Sequence, residues 1–84
     1  AGTVHGPVTV PEGIYRVSVS TSQFFIMQHE VLDGDCGDWG AIFNEMMHDG
    51  EFTAETIFKS EGCSVLFETS NIFGPYTVTF EKIQ

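Results

Sequence analysis

Residues Asp33-Gly34-Asp35-Cys36-Gly37-Asp38 place three carboxylates and a thiol on six consecutive positions, the densest run of reactive groups in the chain. Carboxylates on a glycine-rich stretch suit a hard cation such as calcium, which takes oxygen ligands. The spacing is not that of an EF-hand. Gly37 stands where the next oxygen ligand should be, and no glutamate follows at the twelfth position of such a loop. The same letters have a plainer reading, which is preferred. Aspartate and glycine favour turns, and carboxylates complement the N-terminus of a following helix. Calcium therefore enters as an alternative, and no cofactor is expected.

Cys36 and Cys63 are the two cysteines of the chain. In a small acidic domain such a pair reads as a disulfide formed in an oxidising compartment. Closing a loop of that length is worth about 3.5 kcal/mol in the chain-entropy account. A bonded pair also removes the free thiolate that a Cys–His nucleophile requires. The histidines, His5, His29 and His48, lack zinc-site spacing with one another or with the cysteines. Phosphate loops, dinucleotide fingerprints and serine nucleophile elbows are absent. The expectation is a protein that is not an enzyme.

Twelve acidic residues stand against Arg16, Lys59 and Lys82, for a net charge of −9. A surface of that sign repels phosphate backbones and anionic lipid heads, so neither nucleic acid nor a membrane surface is expected as partner. A protein with a basic surface is. No apolar run approaches the roughly 20 residues of a membrane-spanning helix. The chain opens Ala1-Gly2-Thr3, and the expectation is an extracellular or cell-surface protein whose leader has been removed. The 84 residues suffice for one domain, 1–84, with eight phenylalanines to build its core and residues 1–6 loose.

The elements that must position these groups follow from hydrophobic periodicity. Val8-Thr9-Val10 reads as a short strand stopped by Pro11-Glu12-Gly13. Tyr15, Val17 and Val19 share one face of a second strand. Phe25, Met27, His29 and Val31 line a third, which is buried at its start and half-exposed at its end. The period then changes: Trp39, Ile42, Phe43, Met46 and Met47 follow helical spacing. This predicts an amphipathic helix of about three turns, with Asp38 as N-cap and Gly50 as terminator. Phe52 to Lys59 alternates again, with Phe52, Ala54, Thr56 and Phe58 opposite Thr53, Glu55, Ile57 and Lys59. Cys63, Val65 and Phe67 face inward on the next strand. After a loop carrying Ile72 and Phe73, so do Tyr76, Val78 and Phe80 on the last.

Two short motifs carry a family resemblance: Pro11-Glu12-Gly13-Ile14-Tyr15-Arg16 and Phe58-Lys59-Ser60-Glu61-Gly62-Cys63. With the aromatic strand between them, the chain resembles small exported β domains of actinobacteria, mostly of unassigned function. The resemblance implies export and a β fold, and it brings no catalytic residues. It departs from that group at the first cysteine, which the group places near Phe24 or Phe25 and this chain places at Cys36.

The reading that results is mainly β: a small antiparallel β-sandwich or flattened barrel of about six strands, with one short helix. The expected function is a non-catalytic, exported interaction module that binds a protein partner. An acidic inhibitor or mimic seated in a target's basic site is the alternative, and a calcium-dependent module a further one. The recognition residues are expected on two loops. Asp33, Asp35 and Asp38 would form a charged rim on one, and Phe73 an apolar anchor on the other.

Overall fold

A computed structural model describes residues 2–37, 40–46, 48–71 and 74–84. These form seven strands: β1 (Thr3–Val10), β2 (Gly13–Ser22), β3 (Phe25–Gly34), β4 (Gly40–Glu45), β5 (Glu51–Ser60), β6 (Cys63–Ser70) and β7 (Thr77–Lys82). All the pairings among them are antiparallel. One sheet has the order β1-β6-β3-β4, the other β5-β2-β7. Of these strands, only β3 and β4 are both consecutive and paired. Every other connection carries the chain from one sheet to the other.

Strict alternation builds the core. Tyr15, Val17 and Val19 of β2 are buried, as are Phe25 and Met27 of β3 and Cys63, Val65 and Phe67 of β6. Rings from the two sheets meet between them. Phe58 of β5 lies edge-on to Phe67 of β6, and Phe67 packs against Phe80 of β7. Each fully buried side chain of this kind contributes about 1.5–3 kcal/mol. Val31 is half-buried and Leu32 exposed, so β3 emerges from the core toward its end, as its sequence predicts.

The expected helix is a strand. Residues 40–45 are β4, and the reason lies in one inserted residue. Met27 pairs with Phe43 while the adjacent Gln28 pairs with Ala41, which leaves Ile42 as a bulge. The bulge lets Ile42 and Phe43 both reach the core. Two consecutive inward residues imitate the i, i+3, i+4 spacing of a helix. Asp38, Trp39 and Met47, which completed the helical pattern, lie outside the described residues.

The N-terminal segment read as loose is also strand. β1 starts at Thr3 and pairs with β6 from Thr3↔Thr69 to Val10↔Cys63. Its residues from Thr3 to Thr9 are exposed, so no burial period marks it in the sequence. Backbone bonding to β6, rather than side-chain burial, makes it a strand. A tie across the molecule reinforces it. His5 Nε2 lies 3.0 Å from Thr69 Oγ1 and 3.2 Å from Tyr76 Oη, just ahead of β7.

Candidate functional site

The acidic run sits on a corner fixed by the two cysteines. Cys36 and Cys63 are bonded, with Cα atoms 5.9 Å apart, and both are buried. The disulfide follows directly from register, because Gly34 at the end of β3 pairs with Cys63 at the start of β6. Gly34 has φ +81, and a β-carbon there would collide with the Gly62 carbonyl oxygen. Only glycine meets both demands. Beyond it, Asp35 N–H donates to Gly62 O at 3.1 Å and Glu61 N–H donates to Asp35 O at 2.8 Å. Asp35 Oδ1 accepts the Gly37 amide at 2.9 Å, a local turn that engages this carboxylate. Ser60 completes the corner: its hydroxyl donates to Val10 O at 2.9 Å and accepts from Gly62 N–H at 3.0 Å.

Of the two loops expected to carry recognition, the described residues Asp33 and Asp35 lie far from Asn71. Asp33 and Asp35 lie at the Cys63 end of β6, and Asn71 follows its Ser70 end. Eight residues of strand separate them, about 26 Å of extended chain. Asp38 and Phe73 themselves lie outside the described residues. Asn71 serves the architecture instead. Its amide donates to Thr21 Oγ1 and, at 2.7 Å, to Phe24 O. It ties the β6–β7 connection to the turn between β2 and β3. Among the described residues, no three of His, Cys, Asp and Glu converge as a metal cage.

The side of the molecule where β4 and β5 form the sheet edges has a different character. A cleft of about 320 Å³ lies between them, lined by Ala41 and Ile42 from β4, Thr56 to Lys59 from β5, and His29. It reaches Cys36 and Gly37 at the corner. A more polar hollow begins there, bordered by Glu12, Asp35, Glu61 and again Lys59. An apolar track thus leads into an acidic end.

β5 runs beside this track with an unpaired edge. Its ten residues pair with β2 in continuous register, from Gly13↔Ser60 to Ser22↔Glu51. Ile14 bonds through both N–H and C=O toward the chain end at Ile83 and Gln84. Even-numbered residues of β2 therefore face β7, and odd-numbered ones face β5. Through the register Tyr15↔Phe58 and Val17↔Thr56, the even residues of β5 bond β2. Glu51, Thr53, Glu55, Ile57 and Lys59 then direct their backbone groups to the free edge. The same residues have exposed side chains, and Ile57 is 55% exposed.

No protein family, curated protein or solved structure matches the chain. The resemblance to exported actinobacterial domains thus rests on its two short motifs, and the site stands on its own geometry.

The other edges are blunted. β1 contains Pro7 and a register shift between His5 and Val8. β4 is six residues long and bulged. β7 is also six residues long. Proteins commonly shorten, bend or interrupt edges in these ways to prevent pairing with other chains. β5 is long, unbulged and free of proline. Its alternation is plain in the sequence, but its edge position is not. One signal was present: Ile57 is the single large apolar residue on the otherwise polar face of that strand.

Proposed function

We propose that this chain is an exported, non-catalytic binding module, a β-sandwich that takes up an extended, basic segment of a protein partner along β5. The observation that carries the reading is the edge itself, ten residues in unbroken register with the outward backbone groups of Glu51, Thr53, Glu55, Ile57 and Lys59 unpaired in the sheet. In strand addition, main-chain hydrogen bonds provide affinity and alternate side chains provide specificity. Glu51 and Glu55 project beside that edge, and the track ends at Asp35 and Glu61. The net charge of −9 favours the approach of a basic segment at long range. Ile42 and Ile57 suit apolar residues alternating with the basic ones. Export is supported by a buried disulfide in a small domain, which is consistent with an extracellular location.

The inhibitor-or-mimic reading asks for carboxylates gathered on one face. Here they spread over both sheets and both ends, from Glu12 and Glu61 at the corner to Glu45 and Glu51 at the opposite end and Glu68 on β6. The partner-binding reading is the better supported of the two.

A direct test uses a peptide of alternating lysine and valine, as long as β5, with an alternating glutamate and valine peptide as control. Calorimetry should show binding of the basic peptide alone. Glu55→Pro removes one outward N–H without removing a bond to β2, and proline is tolerated at such edge positions. That variant should bind at least tenfold more weakly with its Tm little changed. Equal binding by Glu55→Pro and the parent would place the partner elsewhere.

A further inference from the structure

We propose that His29 is a proton-operated clip joining the disulfide corner to the first residue of β4. Its ring is buried at the floor of the β4/β5 cleft and stands edge-on to Phe58, with centroids 5.4 Å apart. Nδ1 lies 3.1 Å from Gly40 O, and Nε2 lies 3.2 Å from Cys36 O. Both partners are backbone carbonyls, which only accept. A neutral imidazole carries one N–H, and the imidazolium carries two. The protonated ring therefore closes both bonds at once. The neutral ring closes one and turns a nitrogen lone pair toward the other carbonyl oxygen. A buried, mismatched acceptor pair of this kind is costly.

Other titratable groups approach His29 from several elements. Lys59 lines the same cleft from β5, and Glu30 and Glu68 border His29 from the outer face of its sheet. β4 presents Ala41 and Ile42, and β6 presents Phe67 opposite His29. From the corner, the Asp35 carboxylate is turned to the Gly37 amide. From β2, Tyr15 gives its hydroxyl to Pro11 O. The ion pairs among the described residues are Arg16–Glu81 and His48–Glu45, and neither includes His29.

Proton uptake thus ties Cys36 to Gly40 through one ring, and proton loss releases one end. The inference concerns the free protein and stands apart from the docking of a partner, so either can fail alone. The test is NMR of labelled protein from about pH 8 to about pH 5, the interval in which histidines commonly change charge. The ring nitrogens of His29 and the carbonyl carbons of Cys36 and Gly40 are followed together. The clip requires both nitrogens protonated at the acid end. It also requires both carbonyl shifts to share the His29 midpoint rather than those of His5 or His48. His29→Gln should abolish that shared transition, and if it does not fold, the parent protein decides alone. A carbonyl that ignores the His29 titration, or a ring that keeps one bare nitrogen throughout, would overturn the proposal.

Discussion

Removing the hydroxyl of Ser60 would strand two partners at once, the Val10 carbonyl and the Gly62 amide. Ser60 is buried, so water does not replace it freely. Ser60→Ala should cost about 1–3 kcal/mol, the penalty for unmatched buried polar groups, measured by urea denaturation. Asn71→Ala should fall in the same range, about 1–3 kcal/mol, because it takes the amide from the Thr21 hydroxyl and the Phe24 carbonyl. The disulfide acts on the unfolded chain. With a sequence separation of 27, reduction should lower stability by about 3.5 kcal/mol, read as a shift in the denaturation midpoint with and without reductant. For single residues the sequence was readable where chemistry is local, since two cysteines imply a bond. It was silent on Ser60 and Asn71, whose partners Val10 and Thr21 each lie 50 residues away along the chain.

β4 shows how one inserted residue can disguise an element. Ile42 bulges, Phe43 stays in register with Met27, and both side chains reach the core. The alternation of β2, β3 and β6 is unbroken where it faces the core, and the inward residues of those strands were legible from period two alone. A bulge adds one residue to that period and yields the spacing of a helix. Far-UV circular dichroism should accordingly show sheet without a helical component. Phe43 is buried and packs edge-on to Phe25 at 6.0 Å, so Phe43→Ala should cost about 3–5 kcal/mol. That value alone would not separate helix from strand, because either places Phe43 inside. Gly34→Ala probes the sheet from another side. It tests the close approach of β3 and the β5–β6 turn, and should cost more than about 1 kcal/mol, whereas the same change at the open Gly37, also at positive φ, meets no neighbouring atom.

For the molecule as a whole, partition into sheets decides what is available to a partner. The chain changes sheet at every connection except β3–β4, and no local pattern encodes that. Alternation told which side chains face inward but not which strands lie at an edge. The free edge of β5 therefore emerged only from topology, and so did the placement of Asp33 and Asn71 at opposite ends of β6. The net charge was legible from composition, and it should make association with a basic segment weaken as salt rises and the Debye length shrinks below about 10 Å. Addition of that segment to β5 is decided by amide NMR of the protein titrated with the alternating lysine–valine peptide. The amides of Thr53, Glu55 and Ile57 should shift on binding and exchange more slowly with solvent, while those of Ala54 and Thr56, already bonded to β2, keep their protection. Binding that leaves the Thr53, Glu55 and Ile57 amides unprotected, or that protects β1 or β7 instead, would contradict strand addition at β5.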